Sequence, residues 1–498
     1  MTEAAIYSHA IAQPASRPSL SARTKIVATV GPACSSPEQL AALVAAGVDI
    51  FRLNMAHGQL DEHTETVRAI RQLSDRTRPL AILVDLAGPK IRLGQLVQDP
   101  LLCRRDVELE FVRGETAQGP LQLVSNYDRL VDELDIGDPV MLADGTVRLM
   151  VTQKTADSVK CRVLNAGDVR SRQGINLPGA KLSVPALTDH DRKCARWAAE
   201  QRADLISLSF VRSPRDVDSL RQLLKQHGSQ ATVIAKIEKQ EALQELEQIV
   251  RAADGIMVAR GDLGVEVDVA HIPLFQKQII RVCNQWQRPV IVATQMLDSM
   301  QRLPRPTRAE VTDVANAILD GADACMLSGE TAIGLYPVES VETMTRILLA
   351  IEPSLVRAAS PSAPPSDDPN SALTHPVTQS VVFGAGRISD HLKAKLVVMV
   401  TRTGATALIA SNYRSQIPTL GVSDDEATLR RMCLYWGITP LRGAPCADVR
   451  KLLAHIDQWG RQQQILKPRD WVVLVTGSGL EPGAHNVLFV HEVPGTKS

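Results

Sequence analysis

Short apolar runs alternate with longer amphipathic stretches along the first two thirds of the chain. Each run has six to eight residues, is rich in β-branched side chains and ends in polar residues, which is typical of a buried parallel strand. The stretches between them, such as "EHTETVRAIRQLS" and "TRAEVTDVANAILDGA", repeat apolar positions every three or four residues, which predicts helices. The eight runs are "KIVATVGP" from Lys25, "VDIFRLN" from Val48, "LAILVD" from Leu80, "DLISLSF" from Asp204, "TVIAKIE" from Thr232, "GIMVAR" from Gly255, "PVIVAT" from Pro289 and "ADACMLS" from Ala322. Eight such units predict an α/β fold built on a (β/α)8 TIM barrel.

One interval interrupts this rhythm. Between Gly88 and about Pro185 the apolar runs become short and alternate with polar positions, as in "GDPVMLADGTVRLMV", where an Asp-Gly pair stands at Asp144 and Gly145. Alternation around an Asp-Gly turn is typical of β-hairpins. The pattern therefore predicts a small, β-barrel-like domain of residues 88–185, inserted into a barrel that is made of residues 22–87 and 186–353.

Composition marks a second boundary further along the chain. The segment "ASPSAPPSDDPNSA" is rich in Pro, Ser and Asp, which is typical of a linker, and we place the linker at residues 354–374. Beyond it, "KAKLVVMVT", "IPTLGVS" and "DWVVLVT" alternate with helical stretches and predict a C-terminal open α/β domain of residues 375–498. Residues 1–21 predict a disordered tail, with an organelle-targeting segment as the alternative.

The balance of charges limits the kinds of partner. Fifty-five basic residues match fifty-five acidic ones among 498 residues, so no overall field draws the chain to nucleic acid or to an anionic membrane. No apolar stretch reaches the ~18 residues of a membrane span. The eight cysteines lack metal-ligand spacing and stand in apolar segments, which favours reduced, buried thiols and a cytoplasmic protein.

Polar residues end nearly every strand of the predicted barrel. TIM-barrel active sites are built at the C-terminal ends of the strands, so these side chains are expected to meet at one mouth. They are Arg52, Asn54, Asp85, Lys236, Glu238, Asp262, Thr294, Ser328 and Glu330.

Two carboxylates on neighbouring strands indicate a divalent-cation site. Lys236 and Glu238 are two residues apart and therefore face the same side of one strand, and Asp262 follows the next strand. Glu238 and Asp262 offer oxygen ligands suited to Mg2+, with positions left for substrate oxygens, as in phosphoryl transfer. The segment "ARGDLGVE" adds backbone N–H groups at a helix start, which favour a carboxylate or phosphate. For Lys236 or Glu238 alone, a structural ion pair at the rim is an equal alternative.

These motifs, taken in order, resemble the pyruvate kinase family. The resemblance is dense over residues 23–352 and looser beyond, and it rests on "TKIVATVGPAC", "FRLNMAHG", "GINLPGA", "AKIEKQEAL", "MVARGDLGVE", "VIVATQMLDSM" and "PTRAEVTDVANAILDGADACMLSGETAIGLYPVE". It implies a barrel with an inserted B domain that acts as a lid, a C-terminal α/β domain and a homotetramer. It also implies the glycolytic reaction in which phosphoenolpyruvate and ADP give pyruvate and ATP, with Mg2+ or Mn2+ as cofactor.

The resemblance assigns roles to the residues at the strand ends. Lys236 is expected against the transferring phosphoryl group and the enolate oxygen, and Arg52 is expected to hold the phosphoryl oxygens. Glu238 and Asp262 are expected to bind the metal. The backbone N–H groups of Gly261 and Asp262 are expected to bind the substrate carboxylate, aided by the Thr294 hydroxyl. Thr294, acting through water, is also our choice of proton donor to the enolate.

The nucleotide positions of the family match three residues here. They are His57, Arg92 and Asn176, although His57 alone is equally well explained as a structural histidine. The family has a lysine where this chain has Gln173, so nucleotide contacts are expected to be redistributed, with Arg172 as a candidate.

A loop in the C-terminal domain aligns with the effector loop of the family. It is "TRTGATA", whose candidate contacts are Thr401, Arg402, Thr403, Gly404 and Thr406. Hydroxyls and a glycine after a strand suit a phosphate nest, and an ordinary helix cap is the alternative. The family commonly has a basic residue where this chain has Ala405, which weakens the prediction of a sugar-phosphate or nucleotide effector.

The positions of a monovalent-cation site are altered in this chain. In potassium-dependent members the ion is held at positions that correspond to Asn54, Ala56, Asp85 and the carbonyl of Leu86, so the usual Ser hydroxyl is missing here. The family also has Lys at the position of Lys90 when potassium is not required. We therefore expect activity without K+, with the Lys90 ammonium facing Asp85.

Two other functions fit the sequence less well. A degenerate relative that only binds phosphorylated metabolites would have lost a chemical residue, and Arg52, Lys236, Glu238, Asp262 and Thr294 are all present. A different phosphoenolpyruvate-using barrel enzyme would lack the inserted domain and the segment "LSGETAIGLYP".

Overall fold

The computed structural model describes residues 22–76, 78–143, 145–180, 182–355, 375–477 and 486–495. The predicted tail of residues 1–21 and most of the predicted linker lie outside the described residues. The chain divides into two compact units, whose described parts are residues 24–351 in one and residues 22–23, 352–355, 375–477 and 486–495 in the other.

The strands and helices are numbered here in chain order. The strands are β1 (Lys25–Thr29), β2 (Ile50–Asn54), β3 (Ala81–Asp85), β4 (Leu101–Cys103), β5 (Glu108–Val112), β6 (Gln122–Leu123), β7 (Pro139–Leu142), β8 (Val147–Lys154), β9 (Ser158–Val163), β10 (Gly167–Val169), β11 (Ile175–Asn176), β12 (Leu205–Leu208), β13 (Thr232–Ile237), β14 (Gly255–Ala259), β15 (Val290–Ala293), β16 (Ala324–Leu327), β17 (Leu396–Val400), β18 (Thr419–Val422), β19 (Ile438–Leu441), β20 (Trp471–Thr476) and β21 (Val487–Glu492). The α-helices are α1 (Pro37–Ala46), α2 (Leu60–Arg76), α3 (Leu130–Glu133), α4 (Asp189–Glu200), α5 (Pro214–Gln226), α6 (Gln240–Gln244), α7 (Leu246–Ala252), α8 (Arg260–Glu266), α9 (Ile272–Gln285), α10 (Arg308–Asp320), α11 (Gly329–Ala332), α12 (Pro337–Ile351), α13 (Pro376–Leu392), α14 (Ala405–Asn412), α15 (Glu426–Arg431) and α16 (Val449–Gln462).

Eight parallel strands close into a barrel in the first unit. Their order around the barrel is β1, β16, β15, β14, β13, β12, β3 and β2, and each of them corresponds to one of the eight apolar runs. Most of their side chains are buried because the strands are covered by helices outside and fill the barrel inside. The predicted TIM-barrel fold is therefore confirmed.

Ion pairs of one kind recur at the N-terminal ends of the barrel strands. In each, an arginine guanidinium binds an aspartate that stands just before a strand and also donates to a main-chain carbonyl. We call these pairs the basal clamps, and they are Arg71–Asp204 at 2.8 Å, Arg78–Asp49 at 3.0 Å and Arg221–Asp254 at 3.0 Å. Each aspartate also accepts a hydrogen bond from a backbone N–H at the start of a neighbouring strand. The clamps therefore tie helices and loops to the end of the barrel opposite the predicted site.

The segment between β3 and β12 forms a separate, mostly antiparallel β structure, in which only the β5–β6 pair among the described residues is parallel. It holds a six-stranded sheet in the order β11, β7, β8, β9, β5 and β6 and a two-stranded pair of β4 and β10, around an apolar core of its own. The sheet has β11 and β6 at its edges. Gly145 after the β7 strand has φ 85°, which suits the predicted turn, and its predicted neighbour Asp144 lies outside the described residues.

Both ends of this inserted segment are tied to the barrel. At the first end, Gly88 N donates to Asp191 Oδ1 at 3.1 Å, and Asp191 also closes the capping box that starts α4. At the second end, the Arg212 guanidinium donates to the carbonyls of Leu182 and Val184, both at 2.7 Å. These bonds fix where the inserted sheet joins the barrel mouth.

The second unit contains a five-stranded sheet. The strand order is β19, β18, β17, β20 and β21, and only β21 runs antiparallel to its neighbour within the described residues. This confirms the predicted C-terminal α/β domain, although β19 and β21 were not among the predicted strands. In the part of the chain that the structure describes, no helix is long and apolar enough to cross a membrane.

Candidate active site

Arg52 and Asp85 lie side by side at the C-terminal ends of β2 and β3. Arg52 donates to Asp85 Oδ2 from Nε at 2.7 Å and from Nη2 at 2.5 Å, and its Nη1 donates to Thr29 Oγ1 at 3.0 Å. The Asp85 side chain is 2% exposed. A buried carboxylate that binds two nitrogens of one guanidinium fixes the plane of that group. Asp85 and Thr29 therefore orient Arg52.

Lys236 shares the same carboxylate from the other side. Its Nζ lies 2.8 Å from Glu238 Oε1 and 3.4 Å from Asp85 Oδ1, and it donates to Ser209 Oγ at 2.7 Å. Burial lowers the pKa of Lys236, but Asp85 and Glu238 outweigh burial and raise the pKa above its ordinary value. The side chain is therefore a charged ammonium at neutral pH, held at three points.

The pKa values of the two carboxylates beside Lys236, Asp85 and Glu238, are shifted in opposite directions. Burial raises the pKa of Asp85, but Lys236, Arg52 and the Ser207 hydroxyl outweigh burial and lower it below its ordinary value. Burial also raises the pKa of Glu238, and because Asp262 adds a second negative charge, the pKa stays above its ordinary value despite Lys236. Glu238 is thus subject both to burial and to the negative charge of Asp262, which the Lys236 ammonium offsets only in part.

This excess of negative charge fits a bound divalent cation. Arg52 and Lys236 face three carboxylates, and the two that are not shared with Arg52, Glu238 and Asp262, present hard oxygen ligands. In the protein alone, Glu238 uses one oxygen for Lys236 and accepts a hydrogen bond from Phe210 N at 2.7 Å with the other. Among the described residues, no group of three or more His, Cys, Asp and Glu side chains forms a metal cluster, so a cation here would depend on few protein ligands.

Thr294 and Gly261 contact each other at the ends of β15 and β14. Gly261 N donates to Thr294 Oγ1 at 2.8 Å. Thr294 and Gln295 have φ angles of 68° and 55°, a conformation that costs about 1 to 3 kcal/mol for each non-glycine residue. The residues predicted to bind the substrate carboxylate are therefore brought together in a strained turn.

Ser328 and Glu330, the last of the strand-end residues, support the backbone. The Glu330 carboxylate accepts hydrogen bonds from Leu297 N at 3.0 Å and from Ser328 N at 2.7 Å. Burial raises the pKa of Glu330 above its ordinary value despite these bonds. This carboxylate joins the loops that follow β15 and β16.

An open cleft lies between the barrel mouth and the inserted sheet. Its walls include two candidate residues, Asn176 and Asp262, together with Lys90, Lys239 and other side chains. The cleft therefore has Asn176 of the inserted sheet and Asp262 of the barrel in the same lining.

The predicted nucleotide residues are more dispersed. His57 is exposed, and its carbonyl lies 2.9 Å from His63 Nε2. Arg92 Nη1 donates to the carbonyl of Arg172 at 3.1 Å. The Gln173 side chain accepts a hydrogen bond from Arg170 N at 2.7 Å, and this bond closes the turn of residues 170–173.

The groups predicted for a monovalent cation have protein partners. Asn54 Oδ1 accepts a hydrogen bond from Ala56 N at 3.2 Å, and the Leu86 carbonyl accepts one from the Ser209 hydroxyl at 2.7 Å. The Asp85 carboxylate is shared by two cationic side chains, as described above.

Lys90 does not contact Asp85. Its side chain is exposed, and among the described residues its hydrogen bonds are made by the backbone alone, to Gly88 and Asn126. Arg52 and Lys236 fill the positions beside the buried carboxylate. The expectation that the Lys90 ammonium faces Asp85 is therefore not met in this structure.

The candidate effector loop in the second unit forms a tight strand-to-helix turn. Gly404 has φ 89° and its N–H donates to Thr401 Oγ1 at 3.0 Å, just before α14. Arg431 Nη1 donates to the Thr403 carbonyl at 2.9 Å. Thr401 and Thr406 are buried. The turn before the helix accounts for Gly404 and for the Thr401 hydroxyl. Arg431 is a further cation at this loop, beyond the predicted residues.

Three residues of the barrel mouth were missed in the sequence. Ser207 donates to Asp85 Oδ1 at 2.6 Å, Ser209 binds Lys236, and Phe210 supplies the N–H that binds Glu238. All three belong to the run "DLISLSF". The two serines stand at the C-terminal end of the fourth barrel strand, where polar residues of the other strands are the predicted site candidates. Their position could therefore have identified them.

A closed barrel with cations and carboxylates gathered at the C-terminal mouth defines a TIM-barrel enzyme. Two family models match the chain, "Pyruvate kinase, barrel domain" over residues 21–341 and "Pyruvate kinase, alpha/beta domain" over residues 379–491. The chain belongs to the pyruvate kinase family, whose members are phosphotransferases.

Individual relatives cover most of the chain. A pyruvate kinase of Staphylococcus epidermidis is 37% identical over 479 residues, which are 95% of this chain and 80% of that protein. Pyruvate kinase 2 of Synechocystis is 40% identical over 462 residues, which are 92% of this chain and 76% of that protein. A crystal structure of a pyruvate kinase from Cryptosporidium parvum superposes with a TM-score of 0.87 at 31% identity and covers 95% of this chain and 96% of that one.

Proposed function

We propose that this protein transfers the phosphoryl group of phosphoenolpyruvate to ADP, giving pyruvate and ATP, as a cytoplasmic enzyme of glycolysis. The observation that carries the proposal is the ammonium of Lys236, held between two buried carboxylates and beside the guanidinium of Arg52. Phosphoryl transfer leaves little covalent chemistry to the protein, so fixed cations at the position of developing charge are its main means of catalysis.

Each cation has its own part in the proposed reaction. Lys236 faces the transferring phosphoryl group and stabilises the enolate oxygen that forms when the phosphorus–oxygen bond breaks. Arg52, whose plane is fixed by Asp85, binds phosphoryl oxygens through its free donor edge. Because Asp85 is shared by both side chains, the two cations keep a fixed separation.

Glu238 and Asp262 would hold Mg2+, or Mn2+ in its place. The proximity of the two carboxylates supports this assignment, because after burial the charge of Asp262 contributes to raising the pKa of Glu238, and a divalent cation would offset that repulsion. The bound ion would neutralise phosphoryl and carboxylate oxygens of the substrate. The ammonium of Lys236 bridges Glu238 and Asp85 in the protein alone and keeps the two carboxylates apart.

The substrate carboxylate would lie at the start of α8. The backbone N–H groups of Gly261 and Asp262 and the Thr294 hydroxyl are the proposed donors. In the protein alone the Gly261 N–H donates to Thr294 Oγ1, and it would exchange this acceptor for the carboxylate when the substrate binds. Thr294 would also pass a proton to the enolate through water. For ADP we propose His57, Arg92 and Asn176, with Asn176 on the cleft wall and the inserted segment of residues 88–185 acting as a lid.

A coupled assay tests the proposed reaction. Phosphoenolpyruvate, ADP and Mg2+ are supplied, and pyruvate is detected through lactate dehydrogenase. Turnover of these substrates supports the proposal. Binding of phosphoenolpyruvate without turnover would instead indicate a metabolite-binding relative, and turnover with another acceptor in place of ADP would indicate a different phosphoenolpyruvate-using enzyme.

Activity is expected to be independent of potassium. The supporting observation is that Asn54, Asp85 and Leu86 already have protein partners and that two protein cations adjoin the carboxylate. Replacing tetramethylammonium by K+ at fixed ionic strength should therefore leave kcat without a saturable rise. A strong saturable rise would refute the proposal.

The role of Lys90 itself is tested by a charge reversal. If Lys90 supplies the positive charge on closure of the cleft that it lines, Lys90→Glu should make the rate rise with K+ concentration. Lys160→Glu, on the inserted sheet, is the matched control and should stay independent of K+. If the activity of the Lys90→Glu variant remains independent of K+, Lys90 is not the cause of this independence, which would then be assigned to Arg52 and Lys236.

We also propose an effector site at the loop Thr401–Thr406 and a homotetramer. The left-handed Gly404 and the nearby Arg431 support an anion at the loop, and several exposed apolar side chains of the first unit, among them Leu274 and Leu335, support assembly. Fructose 1,6-bisphosphate, AMP or ribose 5-phosphate should shift the phosphoenolpyruvate saturation curve to lower concentrations. A curve that none of them shifts would rule out this effector class.

A further inference from the structure

The guanidinium of Arg260 donates a hydrogen bond to the strained turn at Thr294. Its Nη2 donates to the Thr294 carbonyl at 2.7 Å, while the next residue, Gly261, donates its N–H to the Thr294 hydroxyl at 2.8 Å. Two consecutive residues of α8 therefore bind the carbonyl and the hydroxyl of the same threonine. Left-handed φ angles at Thr294 and Gln295 need such bonds, because β-branched and bulky residues avoid this conformation on their own.

The guanidinium of Arg260 is itself fixed by the two helices outside it. Its Nη1 donates to Asp313 Oδ1 at 2.7 Å, from α10, and to Gln276 Oε1 at 3.3 Å, from α9. The Arg260 side chain is 9% exposed, and Gln276 is buried as well. Gln276 Nε2 donates in turn to Asp320 Oδ2 at 3.0 Å, so the acceptor is oriented too.

This connected set has one end at the candidate substrate site and the other on the outer helices. A charged hydrogen bond to a carbonyl in a nearly buried position is much stronger than one at the surface. Loss of that bond would let the Thr294 carbonyl turn away and take the hydroxyl with it.

We infer that Arg260 and Asp313 are positioning residues for the substrate carboxylate. Arg260 holds Thr294 in the left-handed conformation in which its hydroxyl meets the Gly261 amide, and Asp313 holds Arg260. The inference rests on the proposed function, since it takes Gly261 and Thr294 as the carboxylate site. Neither Arg260 nor Asp313 touches the substrate in this arrangement.

Steady-state kinetics on two pairs of variants test the inference. Arg260→Met and Asp313→Leu remove the bonds, whereas Arg260→Lys and Asp313→Asn keep a donor or an acceptor. We expect the first pair to raise the KM for phosphoenolpyruvate by roughly tenfold to a hundredfold. The KM for ADP should change little, and the conservative pair should recover most of the affinity. Direct phosphoenolpyruvate binding, followed by isothermal titration calorimetry, should weaken to the same degree.

A basal clamp supplies the matched control. Arg71 also joins an aspartate and a main-chain carbonyl, at 2.8 Å each, but at the opposite end of the barrel. Arg71→Met is expected to lower the melting temperature without raising the KM for phosphoenolpyruvate. An equal rise in that KM for Arg71→Met would overturn the inference, because general loss of stability would then explain the effect.

The remaining outcomes are also decisive. An unchanged KM for phosphoenolpyruvate in folded Arg260→Met and Asp313→Leu would overturn the inference. If those variants do not fold, Arg260→Gln and Asp313→Ser decide it, because these side chains are polar but too short to keep the bonds. A rise in the same KM then supports the inference and an unchanged KM overturns it. Absence of phosphoenolpyruvate turnover in the wild-type enzyme would contradict the proposed function instead.

Discussion

Replacing Lys236 by methionine is expected to reduce kcat by at least about a thousandfold. Among the described residues, this ammonium is the one cation that contacts both Asp85 and Glu238, so its loss removes the charge that would stabilise the enolate oxygen. Methionine preserves most of the volume of the side chain but supplies no donor. The lactate dehydrogenase-coupled assay at saturating phosphoenolpyruvate, ADP and Mg2+ measures the change.

The same substitution is expected to cost stability. Without Lys236 the site contains buried carboxylates with one fewer partner, a situation that costs about 3 to 5 kcal/mol. Lys239 offers a matched control, because its pair with Glu266 at 2.6 Å has the same exposures as the Lys236–Glu238 pair, 11% and 1%. Lys239→Met should therefore lose a similar amount of stability and much less turnover.

Comparison of the two lysine variants separates chemistry from folding. Urea unfolding should give similar free energies for both variants, whereas kcat should differ by orders of magnitude. Near-normal turnover in folded Lys236→Met would contradict the role given to this residue. Equal losses of turnover in the two variants would show that stability, and not the position of the charge, is responsible.

Removal of divalent cations is expected to abolish turnover. EDTA should bring the rate to background and Mg2+ should restore it, because Glu238 and Asp262 would otherwise repel each other and the substrate. Glu238→Gln should raise the Mg2+ concentration needed for half-maximal rate by at least about tenfold. Mn2+ binding, followed by proton relaxation of water, should weaken to the same degree in the absence of substrate.

Glu266→Gln is the matched control for the metal site. This carboxylate is equally buried and pairs with a lysine, and it lies at the end of α8. Its removal should leave the Mg2+ requirement unchanged. A Glu238→Gln variant with wild-type affinity for Mn2+ would remove Glu238 from the metal site.

The barrel could be predicted because its strands carry a strong local pattern. All eight runs are nearly continuous apolar segments that end in polar residues, and buried parallel strands require such runs. The strand β19 was missed because it contains Pro440 and only its first residue is fully buried, so it lacks a continuous apolar run. The strand β21 was missed because it is an edge strand, with Phe489 and Val490 exposed.

The candidate site was predictable in its residues and less so in its contacts. The strand-end rule placed Arg52, Asp85, Lys236 and Glu238 at one mouth, and the structure brings them into contact. The sequence did not reveal that Asp85 is shared by two cations, because that depends on distances across β3, β2 and β13. Lys90 was expected to face Asp85 because of the resemblance to potassium-independent members and the missing Ser hydroxyl. In the structure, after the turn at Gly88, its exposed side chain lines the cleft instead.

The basal clamps have a consequence for how such a protein changes over time. They stabilise the N-terminal end of the barrel. The length of the strands separates their side chains from the mouth, which lies at the C-terminal end. Substitutions among the loops at the mouth therefore leave these ion pairs intact. New substrate preferences can accumulate at one end of the molecule while the other end retains the stability that tolerates them.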